Sequence, residues 1–172
     1  DPAEWRRVGT DYLFVNDKLH SYNRPLIDTE VSGNGADLMG SYKVYCLDDF
    51  TDWAQVYTRY YGIATAADML GNIEDVCRDE RFDRHRYHIL DFSDATEFNA
   101  TEKELLVNSG VLVGAAFMNH QVMIAAVVTR ENVRATFERI HVLGVSPYEA
   151  RIFATVAEAR KWIEESGFTS GR

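Results

Sequence analysis

Val122-Met123-Ile124-Ala125-Ala126-Val127-Val128 is apolar at every position. A strand with one wet face alternates between apolar and polar residues. A run without alternation reads as a strand covered on both faces, as in a parallel sheet with helices packed against it. The flanking sequence agrees. Thr101 to about Phe117 reads as a helix whose second half is apolar all round, and Val133, Phe137 and Ile140 mark a helix from Arg130 to about Leu143. Toward the amino end, Tyr87 to Phe92 is a strand. Met69, Leu70, Ile73, Val76 and Cys77 make Thr65 to Arg78 an amphipathic helix. Tyr42 to Leu47 and Trp53 to Tyr61, rich in aromatic and β-branched residues, read as a hairpin. Toward the carboxyl end, Glu149 to Phe153 is a short strand, and Val156, Ala159, Trp162 and Ile163 mark a last helix. The order β-β-α-β-α-β-α-β-α predicts an α/β fold: a mixed sheet of about five strands with a leading hairpin and four helices.

Helix starts carry their own signature. Thr65, Thr101 and Thr155 each precede an acidic residue by three, namely Asp68, Glu104 and Glu158. In a capping box the Thr hydroxyl accepts from a free helix N–H, and the acid reaches back to the Thr N–H. Each cap is worth roughly 1 kcal/mol, so it defines a boundary more than it drives folding.

Composition narrows the function classes. The chain has 172 residues, 46% apolar and 26% charged, the balance of a folding globular chain. Asp and Glu number 27 against 18 Lys and Arg, a formal net charge of -9. That sign opposes a nucleic-acid or anionic-membrane surface. The mixed run Arg78 to Arg86 interleaves acids with its bases and reads as a solvated helix end and loop. The longest apolar candidate, Val111 to Val128, is interrupted by Gly114 and by Asn119-His120-Gln121, so no membrane helix is expected. The amino end lacks the apolar core of a signal peptide. A cytoplasmic protein is expected, with Cys46 and Cys77 reduced and both reading as small buried hydrophobes.

Residues 1–39 differ in texture. They hold Asn23-Arg24-Pro25 and Ser32-Gly33-Asn34-Gly35, turn or linker signals, and Leu13-Phe14-Val15 with Lys18-Leu19-His20 could form a short hairpin. This stretch reads as an extension, linker or fusion remnant, with the domain over 40–168 and a tail at 169–172.

Asp91-Phe92-Ser93-Asp94-Ala95-Thr96-Glu97-Phe98 resembles the strand-end signature of SpoIIAA-like, or STAS-like, domains. Arg151-Ile152-Phe153, Thr155, Glu158-Ala159 and Trp162-Ile163 resemble their closing strand and helix, and the resemblance spans roughly Ser41 to Glu165. It implies a SpoIIAA-like α/β sandwich serving as a non-catalytic regulatory or protein-binding module. In such relatives an Asp-Ser-Ser-Gly-like turn carries a phosphorylated Ser. Here Asn99-Ala100-Thr101-Glu102 stands instead, closer to the uncharacterised branch of the family. The candidate partner-binding or switch residues are therefore Ser93, Asp94, Phe98 and Thr101, with an exposed patch expected around Phe98 to Thr101. Capping is the simpler role for Thr101, since Glu102 and Glu104 would repel a phosphate.

Other clusters read plainly. Asp91, Asp94 and Glu97 lack the spacing of a calcium loop. Strand alternation would point His85 and His88 to opposite faces. No nucleophile elbow, phosphate loop or dinucleotide fingerprint occurs, so no catalytic residue, metal or cofactor is expected. The leading hairpin is crowded with aromatics. Trp53, Tyr57 and Tyr61 fall on one face, with Tyr60 on the other, and are interface candidates. Their cover would be residues 1–39, a second copy in a homodimer, or a ligand. Two functions follow: a protein-binding regulator, or a carrier or sensor of a small apolar ligand held between the helices Thr101–Phe117 and Arg130–Leu143 and the sheet. The second predicts a closed apolar pocket.

Overall fold

The computed structural model describes residues 4–8, 11–15, 41–46, 55–144 and 146–166. Trp53 and the 169–172 tail lie outside them. Two strands, β1 (Glu4–Val8) and β2 (Asp11–Val15), form an antiparallel pair of their own. Leu13-Phe14-Val15 does enter a hairpin, but with Arg6, Trp5 and Glu4 as partners. Only two residues separate the strands, the spacing of the tightest hairpins. Lys18 to His20 lies outside the described residues.

The main sheet has the order β3 (Ser41–Cys46), β4 (Gln55–Thr65), β5 (Tyr87–Asn99), β6 (Met123–Val127), β7 (Glu149–Phe153). β3 runs antiparallel to β4, and the remaining pairs are parallel. Helices α1 (Ala66–Arg78), α2 (Glu102–Met118) and α3 (Glu131–Leu143) fill the crossovers, and α4 (Val156–Glu165) closes the chain. The element order read from the sequence is the one observed. Strands that advance one place at a time by right-handed crossovers put all three connecting helices on one face. The core follows suit. Leu90, Phe92, Ala126 and Val128 pack with Met69, Val133 and Phe137 on the three-helix side. Tyr57, Ile89, Ala125 and Val127 pack with Ala159, Trp162 and Ile163 of α4 on the other. β6 is thus covered on both faces, which is why its sequence does not alternate.

All three capping boxes form. Thr65, Thr101 and Thr155 each accept from the N–H three residues on, and Asp68, Glu104 and Glu158 reach back to the cap N–H. Each sits where a parallel strand ends.

One element is longer than expected. The third strand of the sequence reading continues past Phe92 to Asn99, so Ser93 to Phe98 is strand and not turn. Its register against β4 shifts twice. Tyr60 alone stands opposite Phe92 and Ser93, and a further β5 residue, Thr96, enters between Ala95 and Glu97. Each shift restores the inward direction one residue late, so Phe92, Ala95 and Phe98 all face the core at intervals of three. Gly62, at the second shift, has φ 65°, the left-handed region that a side chain resists. Gly71, inside α1, has a different reason: a Cβ there would lie 2.7 Å from the Tyr42 hydroxyl. That hydroxyl donates to Asp75 Oδ2 at 2.7 Å, tying β3 to α1. Among the described residues no helix is long and apolar enough to cross a membrane.

Candidate ligand cavity

A cavity of about 370 Å3 lies between the three-helix face of the sheet and α1, α2 and α3. Its sheet wall is a patch at the amino ends of the parallel strands. His88, Ile124 and Ala150 are register partners there, as are Leu90, Ala126 and Ile152. The helix walls run from Met69 to Cys77 along α1, and come from Leu112 and Ala115 of α2 and Phe137, Ile140 and His141 of α3. Asn72, His85 and His88 bring polarity to a mostly apolar buried wall, and exposed His141, Glu149 and Arg151 also line the cavity.

Each of these polar groups is placed by local structure. Asn72 lies three residues after Met69 and four before Val76, hence on the buried stripe of α1. His85 follows a single 3-10 turn, Phe82–Arg84, and its N–H donates to Phe82 O at 3.1 Å. Asn119, the C-cap of α2, donates through Nδ2 to Phe82 O and His85 O, both at 2.7 Å, and its own carbonyl accepts from Tyr148 Oη at 3.1 Å. The turn is thereby pinned to the end of α2.

The expectation that His85 and His88 diverge is corrected. His85 precedes the strand, so alternation does not govern it. Both rings line the cavity, with centroids 5.4 Å apart and nearly perpendicular planes. They are 1% and 7% exposed. Behind His88 runs a buried chain of hydrogen bonds. His88 Nε2 is 2.6 Å from Thr58 Oγ1, Thr58 Oγ1 donates to Asn72 Oδ1 at 2.9 Å, and Asn72 Nδ2 donates to Tyr60 Oη at 2.9 Å. Thr58 has one hydroxyl proton, and an amide oxygen only accepts. That proton goes to Asn72, so His88 Nε2 carries the hydrogen toward Thr58. Burial, and then the neighbouring His85, push the His88 pKa well below its ordinary value, and the ring is neutral at pH 7.

Cys77 is also in the cavity wall. Burial, with Glu74 second, raises its thiol to about 11, so it is a protonated thiol near neutrality and not a nucleophile. Burial, with Cys77 second, raises Tyr148 to about 12. Among the described residues no three His, Cys, Asp or Glu side chains are grouped to hold a metal ion.

The site residues expected from the sequence lie elsewhere. Ser93 N donates to Asp91 Oδ1 at 2.8 Å, Ser93 Oγ bonds the same oxygen, and Tyr57 Oη bonds the other. Asp94 is exposed and pairs with Arg59. Thr101 Oγ1 donates to Glu104 Oε2 at 2.6 Å, and the Thr101 N–H donates to it at 2.8 Å. Arg59 also feels Tyr57 and Asp91, so Ser93 and Asp94 share one network around Asp91 and Arg59, while Thr101 belongs to its own cap. Phe98 is 4% exposed, its ring packed against Phe92 and Phe137, which corrects the expected patch there. What the surface shows instead is a shallow polar depression walled by Thr65, Asn99, Thr101, Asn132 and Arg139. Tyr57 is 2% exposed and belongs to the α4-side core, which corrects its reading as an open interface residue. Tyr61 is half-buried. Asn72 in the cavity wall and Thr58 behind it are not singled out by the sequence; the position of Asn72 on the Met69–Val76 stripe is the one available signal.

No protein-family model and no curated protein matches the chain. A solved structure described as the Bacillus cell fate determinant SpoIIAA in the phosphorylated form is similar, at 12% sequence identity and a TM-score of 0.40. The match covers 72% of this chain and 99% of that one. A likeness at that level assigns no activity and no site residue.

Proposed function

We propose that the protein is a non-catalytic carrier or sensor of a small apolar ligand bound in the cavity under α1, α2 and α3. The supporting observation is the cavity itself. Well-packed cores hold few voids larger than a water molecule, and an apolar hollow of about 370 Å3 is the size of a small-molecule site. At about 30 Å3 per water-sized unit it admits a ligand of about a dozen heavy atoms. The neutral thiol of Cys77 fits a binding role rather than a chemical one.

Calorimetric titration of the whole chain with 1-methylnaphthalene, a rigid hydrocarbon of suitable size, tests the reading. Saturable one-to-one binding is expected. Ala115→Leu, which places two further carbons or more in the cavity, should weaken binding more than tenfold without lowering the melting temperature. Absence of binding, or binding indifferent to Ala115→Leu, would refute the cavity as a ligand site.

A second reading, a protein-binding regulatory module, is favoured by a different observation. Leu106, Val107, Val113, Phe117 and Met118 of α2 are exposed, Phe117 at 89%. Exposed apolar patches of this kind mark interaction surfaces. If the partner is a second copy of this chain, sedimentation velocity should show mass doubling with concentration, abolished by Phe117→Asp.

A further inference from the structure

We infer that the cavity selects a neutral ligand with one hydrogen-bond donor, such as a phenol or alcohol, directed at His88 Nδ1, and discriminates against carboxylates. This rests on the cavity being a ligand site, and it adds the chemical class of the occupant.

Three observations converge. First, Nε2–H is committed to Thr58, so the remaining polar atom of the ring, Nδ1, is an acceptor. The commitment is built in depth, since Thr58 is fixed by Asn72 and Asn72 by Tyr60. A ligand that donates completes this chain, whereas one that only accepts would face a lone pair. Second, the cavity extends to the carboxyl ends of all three overlying helices. Val76 and Cys77, Ala115, and His141 belong to the last turns of α1, α2 and α3. Helix carboxyl ends carry partial negative charge, which repels an anion and favours the positive end of an O–H or N–H dipole. Third, among the described residues the lining supplies no buried Lys or Arg to offset that field. Arg151 is the one Lys or Arg in the wall. It is exposed, it pairs with Glu149 at 3.0 Å, and its guanidinium lies 5.0 Å from the Trp162 ring on the α4 side. A carboxylate entering the cavity would lose its hydration without a buried Lys or Arg to pair with. The neutral state of the His88 ring adds to the same preference.

The experiment compares three probes of similar size on the whole chain at neutral pH: 1-naphthol, 1-methylnaphthalene and 1-naphthoate. Naphthol should bind roughly three- to tenfold tighter than methylnaphthalene, the increment of one net hydrogen bond. Naphthoate should bind more weakly than either. In His88→Phe the advantage of naphthol should vanish while methylnaphthalene still binds. Long-range proton–nitrogen NMR on the unmodified protein gives a readout that no folding defect can confuse. His88 Nδ1 should be the unprotonated nitrogen, and its resonance should shift with naphthol and not with methylnaphthalene. Methylnaphthalene binding as tightly as naphthol, naphthoate binding tightest, or a proton on Nδ1 would overturn the ligand class while leaving the cavity a binding site. Failure of all three probes to bind would overturn both.

Discussion

His88 shows how one buried side chain ties stability to pH. Its folded-state pKa lies well below the ordinary 6.5 because burial and His85 oppose the charged form. Below 6.5 the unfolded chain takes up a proton that the folded chain refuses. The unfolded state then binds more protons, so stability falls as pH falls through that range and is unaffected above it. Urea unfolding at a series of pH values should show this decline, and His88→Phe should show a shallower one. Equal slopes in the two proteins would mean that His88 is protonated without penalty. The histidine pair also marks a limit of sequence reading. His85 and His88 stand beside the start of a strand, where alternation would send side chains three apart to opposite faces. A single 3-10 turn ends just before residue 85 and lets the rings meet. Asn72 was hidden differently. It occupies a position on the buried stripe, but polar residues count against a stripe unless their partner is known, and Thr58 is fourteen residues away in another element.

Helix boundaries were legible because capping is local. Each box is written within four residues, and all three form as read. Thr101→Ala should cost about 1 kcal/mol in urea unfolding, and Thr101→Ser should restore most of it, since the serine hydroxyl makes the same bonds. A loss near zero in the alanine variant would mean that another group takes over the cap. The bulges of β5 were not legible. A strand is recognised by a period of two, and Phe92, Ala95 and Phe98 repeat at three only because β4 forces two register shifts. The one trace in the sequence is Gly62, whose backbone sits in the left-handed region at the second shift. Gly62→Ala should destabilise by about 1–2 kcal/mol, measured as a lower urea midpoint at unchanged slope. A neutral effect would show that the bulge relaxes without cost.

At the scale of the whole molecule the sheet has two unequal sides, three helices on one and α4 on the other. The layout was legible because it depends only on element order and crossover handedness. The alternative reading puts a ligand between α2, α3 and the sheet, and the cavity is lined by all three; the share of α1 is not legible, since a hollow depends on side-chain shapes that no periodicity encodes. An occupied cavity should also be a stabilised one. A ligand at a hundred times its dissociation constant adds about 2.7 kcal/mol, so saturating 1-naphthol should raise the melting temperature by several degrees. An unchanged melting curve at saturation would mean that the probe sits on the unfolded chain as readily as on the folded one.

The amino ends of the parallel strands hold the hollow, while the three threonine boxes crowd the opposite pole. Along α2, Ala115 in the wall stands roughly 20 Å from the Thr101 box. Attachment chemistry at Lys103, next to the Thr101 box, would therefore leave the cavity wall untouched. A dye or surface tether placed at Ser146 would hang from the wall itself.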